Sequence, residues 1–220
     1  GLPLLPDPVL PSDVDTLLME CTYGDQNHDS VEAAYELFKQ IMLKTIRRGG
    51  KVIIPAFAVG RTQEIVYFLN LMRSENLLPE LPVFVDSPLA VKASKIFGQY
   101  PEYFDSETFD FIRKHNHPAL DFKGLRFVSS VEESKSINDM KGPMVIISAS
   151  GMAEAGRILH HLKNNVEEPK NTIMIVGWQA PNTLGRRLVE KNPEIRIFGE
   201  PYALRAEVDT ISGLSAHAGQ

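Results

Sequence analysis

The sequence of 220 residues contains a single cysteine, Cys21. One cysteine cannot form an internal disulfide, and it cannot build a zinc site of the kinds that need several cysteines. Chains without disulfides are typical of reducing compartments, so we expect a cytoplasmic protein. The sequence also lacks long apolar runs, since even 144–150 has only the length of a strand. We therefore expect no membrane partner.

An excess of positive charge is also missing. The chain has 23 basic and 28 acidic side chains, which gives a formal net charge of −5. This balance excludes a protein that coats nucleic acid with a surface that is basic throughout. A local basic groove remains compatible with it. Hydrophobic residues make up 43% of the chain, an ordinary globular value that excludes a disordered tail or a fibrous repeat.

Short apolar segments rich in Val and Ile alternate with helical patterns along most of the chain. The predicted strands are 15–21, 51–57, 83–86, 125–128, 144–147, 171–177, 195–198 and 202–211, and the predicted helices follow them. All-apolar strands that are each followed by a helix are typical of a parallel sheet buried on both sides. The sequence therefore predicts an α/β fold: a mainly parallel sheet with helices on both faces, in three layers.

Glycine, serine, threonine and arginine residues collect directly after four of the predicted strands. In open α/β sheets this is the edge where ligands bind. Helix N-termini and arginines at such an edge attract phosphate oxygens, so a nucleotide- or sugar-phosphate-binding domain is one interpretation. The same residue types also form ordinary strand-to-helix turns, and no P-loop or dinucleotide motif is complete. The candidate substrate-binding residues of these loops are Gly60, Arg61, Ser87, Ser150, Gly151, Arg157, Thr183 and Arg186.

Four of the six histidines have a simple structural interpretation. His160 and His161 are neighbours on a predicted helix, where their side chains diverge by about 100° and cannot hold one ion. We expect one of them to be packed and the other solvated. His115 and His117 lie in a loop without an accompanying set of carboxylates or cysteines, so a metal site is not expected there.

The two remaining histidines lie near the chain ends. His28 is expected to cap the first long helix or to pair with Asp25. His217 follows small residues that give it no packing role, and it can meet Glu20 if the first and last strands are neighbours. A Glu–His pair is a familiar way to orient an imidazole for proton transfer.

Six stretches, in this order, resemble motifs of the β-CASP branch of the metallo-β-lactamase-fold nucleases. That family includes the pre-mRNA 3′-end-processing endonuclease and ribonucleases of bacteria and archaea. The stretches are 20–28, 54–64, 86–90, 150–162, 177–185 and 212–219. The resemblance implies a three-layer β-CASP domain that works in RNA processing, with single-stranded RNA as its partner.

The resemblance also implies roles for individual residues. Glu20 matches the acidic motif of the family and His217 its histidine motif, a pair in which the histidine protonates the leaving 3′ oxygen. The nucleophile in the family is a hydroxide that bridges two zinc ions. Ser215 matches a position that contacts the scissile phosphate. The loops around Gly60–Arg61, Ser150–Gly151 and Thr183–Arg186 would line the RNA-binding wall of the cleft.

The zinc-ligand run of the family, His-x-His-x-Asp-His, is absent from these 220 residues. We therefore expect the two zinc ions to be bound by residues outside this chain, with no metal ligands within it and no activity of the chain alone. The expected organisation is a β-CASP domain at 25–215, with stubs of a metallo-β-lactamase domain at 1–24 and 216–220. The metallo-β-lactamase domain of the same polypeptide is then an expected partner, as is a second copy in a homodimer. A catalytically silent scaffold is the remaining alternative.

Overall fold

The computed structural model describes residues 2–215 and 217, and their helices and strands alternate along the chain. The strands are β1 (Lys51–Pro55), β2 (Val83–Asp86), β3 (Leu125–Val128), β4 (Met144–Ser148), β5 (Thr172–Ile175), β6 (Glu194–Ile197), β7 (Glu200–Ala203) and β8 (Glu207–Thr210). The helices are α1 (Val31–Arg47), α2 (Arg61–Ser74), α3 (Pro88–Gln99), α4 (Ser106–His115), α5 (Val131–Asp139), α6 (Arg157–Asn165) and α7 (Leu184–Val189). A 3₁₀ turn at Pro101–Tyr103 separates α3 from α4.

Six of these strands form one sheet in the order β3-β2-β4-β1-β5-β8, and every neighbouring pair in it is parallel. β1 lies inside the sheet, where Ile53 is in register with Ile146 of β4 and with Ile173 of β5. β6 and β7 form a separate antiparallel hairpin. The predicted last strand, 202–211, is therefore divided between this hairpin and β8.

Helices cover both faces of the sheet. On β1, the side chains of Val52 and Ile54 join the core under α1 and α2, whereas Ile53 joins the core under α6 and α7 on the opposite face. The chain reverses its direction across the sheet after β3, and the covering helices change face at the same point. Right-handed crossovers require that change. The prediction of a three-layer α/β fold with helices on both faces is confirmed.

The predicted buried strand at 15–21 is wrong. The segment has no regular secondary structure, and its apolar side chains Leu17, Leu18 and Met19 are 65%, 93% and 71% exposed. An apolar strand needs a neighbouring strand for its backbone hydrogen bonds and a packed layer for its side chains. Among the described residues, no strand pairs with this segment. Across residues 2–215 and 217, no helix is long and apolar enough to cross a membrane.

Gly50 precedes β1 at a position where a larger residue has no room. A Cβ atom there would lie 1.7 Å from the carbonyl oxygen of Lys170, which is main chain and cannot rotate away. We expect Gly50→Ala to lower the free energy of unfolding by about 1–3 kcal/mol or more, the usual cost of overpacking. Urea denaturation followed by circular dichroism measures it. Gly98→Ala near the end of α3 is the matched control, because no neighbouring atom lies within 4 Å of the added methyl group. Equal unfolding midpoints for the two variants would contradict the prediction.

Candidate functional site: a cleft at the carboxyl edge of the sheet

The segments that follow β1, β4 and β5 meet around one small cleft. These three strands are neighbours in the sheet, so their carboxyl ends lie at the same edge. The cleft has a volume of ≈ 150 Å³. Its lining residues are Pro55, Ala56, Phe57, Arg61, Gly151, Met152, Val176, Gly177, Trp178, Gln179, Ser215 and His217. The structure thus brings together four of the predicted site residues: Arg61, Gly151, Ser215 and His217.

Glu20 and His217 lie in contact at this cleft. The Nδ1 atom of His217 is 3.1 Å from Oε2 of Glu20, and the side chains are 49% and 42% exposed. The same carboxylate oxygen accepts a hydrogen bond from the backbone N–H of Thr22 at 2.8 Å. A carboxylate accepts from Nδ1–H, which fixes the tautomer of the ring and directs its Nε2 atom away from Glu20. An imidazole held in this way is suited to proton transfer at Nε2.

The main chain of His217 is held by two further side chains. Its N–H donates to Oγ of Ser215 at 3.1 Å, and its carbonyl oxygen lies 2.9 Å from Nε2 of His28. The expectation that His28 caps the first helix is wrong, because Ser30 is the N-cap of α1. His28 packs instead against the ring of Tyr23, with the two ring centroids 4.4 Å apart.

Arg61 places a cation beside the cleft. It is the first residue of α2, after Gly60, whose φ of +80° is accessible to glycine at little cost. The guanidinium forms an ion pair with Glu64, and both side chains are only 11% exposed. Burial lowers the pKa of Arg61, and the charges of Glu64 and Tyr23 counteract that effect. Burial also raises the pKa of Tyr23, against the opposing effects of a hydrogen bond with Ser215 and the charge of Arg61.

The loop after β4 approaches the cleft closely through Gly151. A Cβ atom on this residue would lie 2.9 Å from the ring of Phe57 and 3.1 Å from its backbone nitrogen, so only glycine fits without a shift. The predicted contact residue Ser150 has a local role in the structure. Its Oγ accepts from the backbone N–H groups of Glu154 and Ala155, which orders the turn that leads to α6.

Two predicted substrate contacts serve as helix caps. Oγ of Ser87 accepts from the N–H of Ala90 at the start of α3, and Ser87 is buried. Oγ1 of Thr183 accepts from the N–H of Arg186 at the start of α7. The hydroxyl groups that the sequence pattern marks as phosphate contacts thus satisfy free backbone donors. The side chain of Arg186 pairs with Glu190, 3.1 Å away, and lines a second pocket that shares Trp178 and Ser215 with the cleft.

Arg157 belongs to a buried network on the face of the sheet that α5 and α6 cover. Its Nη1 atom is 2.6 Å from Oδ1 of Asp86, and its Nη2 atom donates to the carbonyl oxygen of Ser129. The other oxygen of Asp86 lies 2.6 Å from Nε2 of His161 and accepts from the hydroxyl of Ser134. Burial alone would raise the pKa of Asp86, but hydrogen bonds from these three side chains outweigh it and hold the pKa below its usual value. Arg157 therefore has a structural role in this polar network, which the sequence pattern did not indicate.

His160 and His161 are placed as expected, whereas His115 is the last residue of α4 and not part of a loop. His161 is fully buried while His160 is exposed, which confirms that one of the pair is packed and the other solvated. His115 and His117 pack their rings against Phe111, at centroid distances of 4.6 Å and 5.4 Å.

Sequence reasoning missed the aromatic lining of the cleft. Phe57 and Trp178 are 53% and 37% exposed, although large aromatic side chains are usually covered. The available signal was their position, because Phe57 follows β1 and Trp178, the only tryptophan, follows β5. Gln179 was missed as well. Its buried Nε2 atom donates to the carbonyl oxygens of Gly151 and Trp178, each at 3.1 Å, and so connects two loops of the cleft.

Within residues 2–215 and 217, no group of three or more His, Cys, Asp or Glu side chains is placed to hold a metal ion. The side chains around the cleft therefore do not fit zinc by themselves. What they offer is an imidazole paired with a carboxylate, a guanidinium and two exposed aromatic rings.

Comparisons with known proteins agree with this architecture. Residues 62–188 match the Beta-Casp domain family. The chain is 41% identical over 217 residues to "Ribonuclease TTHA0252" of Thermus thermophilus, covering 99% of this chain and 50% of that protein. It is 34% identical to "Transcription termination factor FttA" of Methanosarcina mazei, covering 93% of this chain and 33% of that protein. It is also 34% identical to an "RNase J-like protein" of Methanocaldococcus jannaschii, covering 97% of this chain and 49% of that protein.

The chain thus spans between a third and a half of the length of these curated relatives. The Beta-Casp match covers more than half of the chain and includes β4 and β5, whose following loops line the cleft, whereas β1 and His217 lie outside it. The chain therefore belongs to the β-CASP family of metallo-β-lactamase-fold ribonucleases.

Proposed function

We propose that this chain is the RNA-binding and proton-donating part of an RNA hydrolase. The observation that carries the proposal is the contact of Glu20 with His217 at the rim of a cleft that also contains Arg61. The names of the relatives, which include a ribonuclease and an RNase J-like protein, support RNA as the substrate class.

In this proposal His217 is the general acid. Cleavage adds water to the phosphorus atom and breaks its bond to the 3′ oxygen, which leaves as an alcohol once it is protonated. Nε2 of His217 gives its proton to that oxygen, and Glu20 stabilises the ring through Nδ1. The imidazole takes up a proton again from solvent after the product leaves. The exposure of both side chains is consistent with substrate and water reaching them.

The walls of the cleft suit a single strand of RNA. The exposed rings of Phe57 and Trp178 offer flat faces on which unpaired bases can stack. The guanidinium of Arg61 lines the cleft, where in this proposal a phosphate oxygen shares it with its ion-pair partner Glu64. Close backbone approach at Gly151, and the hydroxyl of Ser215, complete the proposed contacts with the backbone of the strand.

We further propose that residues 25–215 form the β-CASP domain and that 1–24 and 216–220 belong to a metallo-β-lactamase domain of the same polypeptide. The exposed apolar side chains within 15–21 support this division, because they are suited to packing against a further layer. Residues 1, 216 and 218–220 lie outside the described residues. By the family resemblance, two zinc ions would be held by residues outside this chain and would supply activation of water when bound.

The test of RNA binding uses the complete protein and RNA oligonucleotides of increasing length. We expect affinity to rise with length, and Trp178→Ala to weaken it by about 5- to 150-fold, the equivalent of about 1–3 kcal/mol for one stacked base. Fluorescence anisotropy of end-labelled RNA measures both effects.

Phe109→Ala is the matched control for that experiment. Phe109 is a similarly exposed ring on α4 that lines neither the cleft nor the pocket of Arg186, so its loss should leave RNA affinity unchanged. Saturable binding of a mononucleotide, with no effect of RNA length, would instead favour the nucleotide- or sugar-phosphate-binding alternative. Length-dependent binding without any cleavage would favour the catalytically silent scaffold.

A further inference from the structure

His28 precedes His217 by 189 residues, yet its imidazole contacts the main chain of that residue. Nε2 of His28 lies 2.9 Å from the carbonyl oxygen of His217. A carbonyl oxygen only accepts hydrogen bonds, so Nε2 of His28 carries a proton and donates it. The contact is therefore directional, with His28 as donor and the backbone of His217 as acceptor.

Three hydrogen bonds converge on His217 from different sides. Glu20 holds Nδ1 of the ring, Ser215 accepts from the N–H, and His28 donates to the carbonyl oxygen. The imidazole is about half exposed, so packing alone constrains it weakly. Glu20 contacts the ring, and Ser215 belongs to the same segment as His217. Of the three partners, His28 is therefore the one that holds the backbone of His217 from a distant part of the chain.

His28 is itself well supported. The ring of Tyr23 packs edge-on against it, with the ring planes 72° apart. The next residue, Asp29, accepts a hydrogen bond from the hydroxyl of Ser212, and Ser30 then caps α1. The donor is thus attached to the start of a 17-residue helix, a rigid element on which a position can be fixed.

We propose that His28 is a positioning residue for His217. Its Nε2–H holds the backbone of His217, and with it the imidazole, at the distance from the leaving oxygen that proton transfer requires. This inference rests on the proposed function of His217 as general acid. A misplacement of about 1 Å in a catalytic group can cost about 10²-fold in rate, so the loss of one such contact has a measurable effect.

The experiment compares two replacements of His28 in the complete protein. His28→Phe keeps a ring against Tyr23 but removes the donor, and we expect kcat for RNA cleavage to fall by about 10- to 100-fold with KM little changed. His28→Gln retains an N–H donor and should recover part of that loss. His117→Phe is the matched control, because His117 also packs against an aromatic ring but lies on the α4–β3 loop. If His28→Phe does not fold, His28→Asn replaces it, since the shorter amide cannot reach the carbonyl oxygen.

A double-mutant cycle separates positioning from general structural support. On a His217→Ala background, His28→Phe should have no further effect on kcat, because its influence passes through His217. A further loss of the same size there would overturn the inference. If His217→Ala abolishes activity but His28→Phe leaves kcat unchanged, the inference about His28 is also overturned. The proposed role of His217 as general acid is unaffected by that result. If His217→Ala itself has no effect, the proposed function fails.

Discussion

Replacing His217 by alanine in the complete protein is expected to lower the rate of RNA cleavage by about 10²- to 10⁴-fold, the usual contribution of a general acid. The physical reason is that the leaving 3′ oxygen would depart as an unprotonated alkoxide. Single-turnover cleavage of a labelled single-stranded RNA measures the rate. RNA affinity should change little, because the proposed binding contacts are made by Arg61, Phe57 and Trp178.

Two further variants test whether the loss of activity is specific to His217. Glu20→Gln keeps a hydrogen-bond acceptor for Nδ1 but removes the charge that stabilises the protonated ring, so it should cost less than His217→Ala. His160→Ala, an exposed histidine on α6, should have no effect. The metal content of the His217→Ala protein, measured by atomic emission, should equal that of the unmodified protein. Loss of metal together with activity would identify His217 as a ligand and contradict its proposed role.

Replacing Asp86 by alanine is expected to lower the free energy of unfolding by about 3–5 kcal/mol, as for other buried pairs that lose one partner. Asp86 is fully buried at the end of β2, where it contacts the guanidinium of Arg157, the ring of His161 and the hydroxyl of Ser134. Its removal takes an acceptor from each of these groups, of which the ring of His161 is fully buried and the side chain of Arg157 is 19% exposed. Equilibrium denaturation in urea measures the change.

Asp110→Ala is the matched control for Asp86. Asp110 also pairs with an arginine, Arg113, but both side chains are exposed and their nearest atoms are 3.8 Å apart. Such surface pairs contribute little, so this variant should unfold at the same urea concentration as the unmodified protein. If Asp86→Ala also unfolded at the urea concentration of the unmodified protein, the network around Asp86 would not contribute to stability.

The layered architecture could be predicted from the sequence because it depends on local patterns. Apolar runs such as 144–147 are long enough for buried strands, and each is followed by a helical repeat. The failure at 15–21 has a different cause. That segment has the composition of a strand, but strand formation depends on a neighbour, and none of the described strands pairs with it. Composition alone does not reveal whether a neighbour is present.

The candidate site was predictable to a more limited extent. The family resemblance led to Glu20 and His217, whose contact no local pattern could have shown. The predicted contact residues after the strands have two different roles in the structure. Gly151 lies in the cleft, whereas Ser87 and Thr183 cap helices, because a hydroxyl that can accept from a free backbone N–H does so wherever the geometry allows. Sequence position cannot separate a capping hydroxyl from one that contacts a ligand.

The contacts of Glu20, His28 and Asp29 with Ser212 and His217 also couple the proposed activity to folding. Glu20 and His28 lie early in the described chain and His217 lies late in it, so the proposed proton donor is assembled only when both segments are docked beside α1. The proposed activity should therefore depend on the docking of both segments onto the folded domain. Partial unfolding that releases one of these segments would abolish the proposed proton transfer before the six-stranded sheet itself is lost.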